Sequence, residues 1–341
     1  MSHGTRLRSM PAMLCWVLLA AVANSQEGSS AATTLGPGGT INDEPLQIVA
    51  LANEGFLLRC DVDAVLIDAF LAEPYSIYDA LPPTVLKLLL GAQAPFDSVD
   101  LALVSHVHGD HFQPAPARRF LDASPQTLLA SSPQVLAALA AYDLAAGDLS
   151  PGDGDNGQSG STGNDGQAGD SADGDNNDNS GGAGGSTGAA PSDLSATTAL
   201  FPTPGQSKSM TRDFVVEFLH LSHGTGRFAS IENLGHVITL GGRRILHLGD
   251  AAMEPANFAP FAATLRDVDV ALIPYWYFLS SAGRALLTEY VDASLTIACH
   301  VPGEERDDVI AALAASHPDV IVARDVLQSW DVPAAEAAAR R

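Results

Sequence analysis

SHVHGDH, residues 105–111, carries more of the chemistry of this chain than any other stretch of its length. It closes the apolar run VDLALVS (99–105), which reads as a strand, and leads into a loop marked by Pro114 and Pro116. Imidazole nitrogens and carboxylate oxygens are the ligands zinc takes. His106 and His108, two apart at a strand end, point to the same side. Gly109 lets the backbone turn sharply, so that Asp110 and His111 face a neighbouring point. Four ligand-type side chains in six residues is dense for a chain with ten histidines. Carboxylates and imidazoles that close together need a cation or one another, which makes a solvated polar loop the weaker reading.

Working outward, apolar segments alternate strand and helix patterns. Strands are expected at Leu46–Leu51, Gly55–Cys60, Ala64–Ile67, Thr127–Ala130 and Phe214–Leu221. A hairpin is expected from Gly235–Leu240 and Arg244–Leu248 across Gly241-Gly242, with further strands at Val268–Pro274, Leu295–Ala298 and Val320–Ala323. Helices are expected at Pro133–Ala141 and Asp307–Ala315. A run of strands followed by strand–helix alternation suggests sheets packed face to face with helices outside them.

Residues 147–197 break this texture: they are Gly, Asp, Asn and Ser with hardly an aliphatic side chain. Such a segment cannot bury enough apolar surface to offset its ordering entropy. It is expected to be a disordered acidic insertion within one domain spanning 45–330, which a fold can carry because long loops close at small extra cost. DGDNG (153–157) is faintly like a calcium loop but lacks the bidentate Glu and the spacing. At the N-terminus, Arg6 and Arg8 precede the apolar Met10–Ala23, and Ala21-Val22-Ala23 offers a small-x-small site. That order predicts a secretory signal peptide over 1–23 and export to the periplasm or medium, with an uncleaved membrane anchor as the alternative. A tether over 24–44 and a tail over 331–341 complete the expected organisation.

The 341 residues are 46% hydrophobic, enough for a sizeable core, and the formal net charge is −23. That balance argues against nucleic acid or anionic membrane surfaces as partners and suits a protein that gathers cations around a small-molecule substrate. Cys60 and Cys299, the two cysteines outside the signal, give no framework pattern. They read as small buried hydrophobes.

HVHGDH resembles the HxHxDH signature of the metallo-β-lactamase superfamily, and the rest of the chain follows that family's order. LIDAF (66–70) is similar to the strand-end segment whose aspartate, here Asp68, orients metal-bound histidines. HLSHG (220–224) resembles the segment with the third histidine of site one, with His223 the better match than His220. LHLGDA (246–251) resembles the motif of the bridging carboxylate, Asp250, and ACHVPG (298–303) that of the last ligand of site two, His300. NLGHVITLGGRRILHLGDA (233–251) is similar to the broad lactonase-like branch. His223 stands 112 positions after His111, and leaving out the 51 residues 147–197 brings the spacing to an ordinary 61.

The resemblance implies a four-layer αββα sandwich of the α/β class with two metal ions, zinc first and iron or manganese as alternatives. Site one would hold His106, His108 and His223; site two would hold Asp110, His111 and His300; Asp250 would bridge. It implies a hydrolase in which water shared by the two ions loses a proton near neutral pH and attacks an ester, lactone, amide or phosphodiester, with Asp110 orienting it. An iron-dependent sulfur dioxygenase on the same fold and an exported metal-binding protein without turnover are the other readings. His236 and His247 are strand residues expected to be structural, with His247 close enough to Asp250 to support it. His317 is expected at the surface. Among Pro274–Phe278, aromatics are expected in the core, with one near the pocket.

Overall fold

Apolar side chains at every second position of successive strands force two sheets to bury one face against each other. The computed structural model describes residues 33–34, 40–41, 44–148, 197–211 and 215–333. The expected signal peptide, most of the tether, the bulk of 147–197 with DGDNG, and 334–341 of the tail lie outside the described residues. Two short strands, β1 (Thr33–Thr34) and β2 (Thr40–Ile41), pair with each other.

The first sheet contains β3 (Leu46–Ala50), β4 (Phe56–Cys60), β5 (Asp63–Ile67), β6 (Leu101–Leu103), β7 (Leu128–Ser131), β8 (Thr197–Ala199) and the late strand Ser329–Val332, which pairs with β3 at one edge. That edge strand runs two residues past the domain end expected at 330. The second sheet contains β9 (Ser207–Thr211), β10 (Val215–His220), β11 (Leu234–Leu240), β12 (Arg243–His247), β13 (Val268–Pro274), β14 (Ala293–Cys299) and β15 (Val320–Val322), in sequence order. Each sheet is antiparallel in one half and parallel in the other.

Parallel neighbours need crossovers, and helices supply them. Helix α1 (Pro83–Leu90) links β5 to β6, α2 (Pro114–Ala123) links β6 to β7, and α3 (Pro133–Asp148) follows β7. In the second half α4 (Pro255–Phe258) follows β12, α5 (Trp276–Leu279) and α6 (Ser281–Tyr290) link β13 to β14, and α7 (Arg306–Ser316) links β14 to β15. Four of these helices open on a proline, whose missing N–H has no partner there in any case. This corrects the reading of Pro114 and Pro116 as a loop: both sit in the first turn of α2, where proline is tolerated.

Three apolar clusters separate four layers. One lies between the sheets and joins Leu46, Ile48, Val65, Ile67 and Leu103 to Val216, Phe218, Ile238, Ile245 and Leu272. A second packs the outer face of the first sheet against α1, α2 and α3 through Leu66, Leu89, Phe120 and Val135. The third packs the second sheet against the later helices through Leu246, Phe258, Leu286 and Leu313. Each such buried aliphatic or aromatic side chain is worth about 1.5–3 kcal/mol. The hairpin at Gly241-Gly242 forms as expected, because both glycines hold positive φ (56° and 77°), as a two-residue turn of this kind requires. The molecule is therefore an αββα sandwich. Among the described residues no helix is long and apolar enough to cross a membrane.

Candidate metal centre

All the chemistry-bearing side chains leave the sandwich at the C-terminal ends of strands. Asp68 follows β5, His106 follows β6, His223 follows β10, Asp250 follows β12 and His300 follows β14. Open α/β sheets place their sites at that edge.

The expected strand Val99–Ser105 stops at Leu103, because Ser105 turns its polar groups to other partners. Its N–H donates to Asp68 Oδ1 (2.7 Å) and its hydroxyl to Asp68 Oδ2 (2.5 Å). With its proton given to Asp68, Ser105 Oγ accepts from His106 Nδ1 at 3.0 Å, which leaves the Nε2 lone pair of His106 free. His111 Nδ1 donates to Asp68 Oδ2 (2.9 Å), which frees His111 Nε2 in the same way. One buried carboxylate thus sets two imidazoles. After His106 the chain folds tightly: His111 N–H and Phe112 N–H both reach the His108 carbonyl (3.0 and 2.8 Å).

The ligand atoms fall into two groups. His106 Nε2 and His223 Nε2 lie 3.0 and 3.2 Å from His108 Nδ1, and Asp250 Oδ2 stands 3.8 Å from His106 and 3.6 Å from His223. In the second group His111 Nε2 and His300 Nε2 are 3.1 Å apart, and Asp110 Oδ2 lies 3.9 and 3.5 Å from them. Asp250 Oδ1 faces this second group, 3.5 Å from His111 and 3.4 Å from His300. The two oxygens of Asp250 therefore address different groups. All seven expected ligand side chains are brought together, in the two sets that the resemblance implies.

The electrostatics favour a cation. Burial would raise the Asp250 carboxyl, but His300 and His111 outweigh it and hold it well below the usual carboxylate range. Burial would lower His111, but Asp250 and Asp68 push it well above the ordinary histidine range. Burial, and then His111, hold His106 well below that range. Carboxylates that draw protons onto His111 and His300 would stabilise a metal cation in the same place. Asp250 Oδ1 is buried without a hydrogen-bond partner, and several imidazole nitrogens converge on each group. The donor set, five imidazoles and two carboxylates, suits zinc.

Other histidines lie elsewhere. His220 turns away: its Nδ1 donates to the Pro202 carbonyl (2.9 Å) and its ring packs on Phe201. His236 and His247 are fully buried on the inner face of the second sheet. His317, expected at the surface, is half-buried against Phe278. Cys60 and Cys299 are both buried and unpaired with each other. Of the aromatics after β13, Tyr277 and Phe278 enter the core while Trp276 meets the His300 ring at 4.9 Å.

Several supporting residues carry no local sequence signal. Asn233 donates to the Leu221 and Leu248 carbonyls and accepts the Asp250 N–H at 3.1 Å. Asn257 holds the loop before His223 through both Ser222 backbone groups. Glu54 is fully buried under the centre, 3.4 Å from His247 Nε2 and 3.5 Å from the Cys299 thiol, and burial pushes its carboxyl up to about 8. Asp68 and His300 hold left-handed backbone (φ 42° and 60°), a conformation that side chains other than glycine keep mainly where the surroundings enforce it. Gly249, before Asp250, holds φ 53°, and a Cβ there would stand 2.6 Å from Asn233 Oδ1 and 2.8 Å from Ser105 Cβ.

Compared with known proteins, residues 47–300 match the family described as the beta-lactamase superfamily domain. No curated protein matches the chain. Among solved structures, a possible metal-dependent hydrolase from Veillonella parvula superposes with a TM-score of 0.52 at 14% identity, over 84% of this chain and 99% of that one. An isothiocyanate hydrolase from Delia radicum gut bacteria gives a TM-score of 0.52 at 12% identity, over 83% and 98%. At such identities the likeness is one of fold.

Proposed function

Because the chain belongs to the metallo-β-lactamase superfamily, we propose that it is a hydrolase working with two divalent metal ions, zinc first, on an ester, lactone, amide or phosphodiester bond. The observation that carries this reading is Asp250, whose two oxygens face two separate histidine groups, as a bridging carboxylate must. His106, His108 and His223 would hold one ion, Asp110, His111 and His300 the other. Bound there, such ions acidify water and polarise a carbonyl or phosphoryl oxygen.

The chain's own groups do the positioning. Burial would raise Asp110, but its hydrogen bond from His300 outweighs that and keeps it ionised; its carboxylate can accept an O–H and aim the attacking water. Asp68 holds His111 directly, and His106 through Ser105, in the same tautomer, with the hydrogen on Nδ1 and Nε2 free. Tyr78, Trp276 and Phe228, ranged round the imidazoles, limit the water that reaches the bond being cut. The test is hydrolysis of ester, lactone, lactam and phosphodiester panels by zinc-loaded protein and by its Asp250→Ala variant. Turnover lost in the variant is expected; equal turnover in both would overturn the reading. The pattern at residues 6–23 supports export, which fractionation of expressing cells checks: the protein in the cytosolic fraction with Met1 intact would refute it.

A further inference from the structure

The segment joining β5 to α1 forms no regular element, yet it is pinned beside the metal centre. Gln113 Oε1 accepts the N–H groups of Ala72 and Glu73 (3.0 and 3.1 Å), the Ile77 carbonyl accepts the Gly303 N–H (2.8 Å), and Arg306 pairs with Asp79. Between these pins Tyr75 and Ile77 are each 52% exposed. Tyr78 meets the His300 ring edge-on at 4.7 Å, and the Tyr75 ring would lie 3.4 Å from a Cβ on Gly109. From α5, the helix after β13, Trp276 reaches the same His300. On the far side Phe228 stacks on His223 at 4.8 Å with an interplanar angle of 9°.

Apolar surface left in water costs free energy, and neither Tyr75 nor Ile77 is needed by any of the three cores. The fixed loop leaves two large apolar side chains exposed, Tyr75 beside Gly109 of the ligand motif and Ile77 next to Tyr78, which meets His300, and apolar surface so close to a polar site suits something that covers it. The charges on this rim are few and largely satisfied. Arg306 is paired with Asp79, and Arg227 lies over the Phe228 ring at 4.7 Å. The described lysines, Lys87 and Lys208, are on α1 and β9. A phosphodiester or other polyanion would look for several free cations here, and the described residues of the rim do not offer them.

We infer that the substrate is an electrically neutral carboxylic ester or lactone with an apolar chain or ring of several carbons, which lies against Tyr75, Ile77 and Phe228 while its carbonyl meets the centre. This rests on the hydrolase reading above. The reaction is simple hydrolysis: the water oxygen bonds to the acyl carbon, the C–O bond breaks with its electron pair on the alcohol oxygen, and that oxygen takes a proton.

The test compares 4-nitrophenyl acetate, butyrate and hexanoate with bis(4-nitrophenyl) phosphate on the zinc-loaded full chain, on its Tyr75→Ser and Ile77→Ser variants and on the double variant that carries both. A fully buried methylene is worth about fourfold, so partial burial of four should raise kcat/KM by about tenfold or more from acetate to hexanoate. The hexanoate-to-acetate ratio should fall towards one in the double variant, and the phosphodiester should be the poorest substrate. A ratio near one in the parent, a ratio unmoved by the variants, or preference for the phosphodiester would overturn the inference while leaving the hydrolase reading in place. Should no ester turn over, calorimetry with acetohydroxamate and hexanohydroxamate, which seek metal centres, replaces kinetics: tighter binding of the longer chain, lost in the variants, supports the apolar rim, and equal binding refutes it. A chain that takes up no metal removes the hydrolase reading and the inference with it.

Discussion

Replacing Asp68 by Asn changes one atom and should weaken metal binding without unfolding the chain. The Asp68 carboxylate is fully buried and accepts three hydrogen bonds, from Ser105 N, Ser105 Oγ and His111 Nδ1. An amide has one oxygen to offer. If that oxygen keeps the Ser105 N–H, the NH2 group confronts two donors, the Ser105 hydroxyl and His111 Nδ1–H. His111 is then relieved by moving its proton to Nε2, where the metal-facing lone pair should be. Loss of such an orienting partner costs about 10–100-fold in metal affinity, or roughly 1.4–2.7 kcal/mol. The metal-free protein should lose about 1.5–3 kcal/mol as well, since a bond to a buried charge is replaced by an unpaired donor. Chelator competition, resolving the two zinc affinities, reads the first effect, and urea unfolding in excess chelator reads the second. The ion held by Asp110, His111 and His300 should be the more weakened. Unchanged zinc affinity in a folded Asp68→Asn variant would refute the idea that Asp68 sets the His111 tautomer.

Other consequences are as definite. Gly249→Ala places a Cβ against Asn233 Oδ1 and Ser105 at a positive φ, so urea unfolding should show a loss of at least about 2 kcal/mol; a loss under about 0.5 kcal/mol would mean the turn before Asp250 is not constrained. His236 is fully buried with neither ring nitrogen hydrogen-bonded, and burial, then His247, bring its pKa from 6.5 down to about 3. The unfolded chain therefore binds a proton below about pH 6.5 that the folded chain refuses until about pH 3. The stability concerned is complete above that window and is lost as pH falls, by about 1.4 kcal/mol between pH 7.5 and 5.5. His236→Leu should remove that share of the slope, and an identical slope in the variant would contradict it. Asn257→Ala frees the Ser222 backbone beside His223; zinc held by His106, His108 and His223 should weaken about tenfold, with the Asp110 group unaffected, and uniform weakening of both would argue for a general loosening.

Local patterns were readable where the physics is local. Four ligands within HVHGDH, and the short apolar runs of β5, β6 and β13, declare themselves in any window of the chain. The choice of His223 over His220 also followed from position, since His220 belongs to β10 proper and faces Pro202 while His223 lies beyond its end. Other features depend on partners far along the chain. Nothing near Glu54 or Asn233 says that one will lie under His247 and the other will receive the Asp250 N–H, because those contacts join different strands. The edge strands β9 and Ser329–Val332 are polar and short, so no period marks them. Helices α1, α2 and α6 went unread because Pro83 and Pro114 look like turn residues until their place at a helix start is known, and α6 is capped by Ser280, an ordinary loop residue until its side chain accepts the Gly283 N–H. The rim was half legible: the aromatic run after β13 stood out, whereas Tyr75, Ile77 and Phe228 become meaningful only when two loops meet at the centre.

The most direct measurement is the metal content of the purified full chain and of its His106→Ala variant by elemental analysis, with circular dichroism to confirm that both are folded. Two zinc ions per chain are expected in the parent and fewer in the variant. One iron per chain, with oxygen consumed in the presence of a persulfide, or no metal in either folded protein, would contradict that expectation.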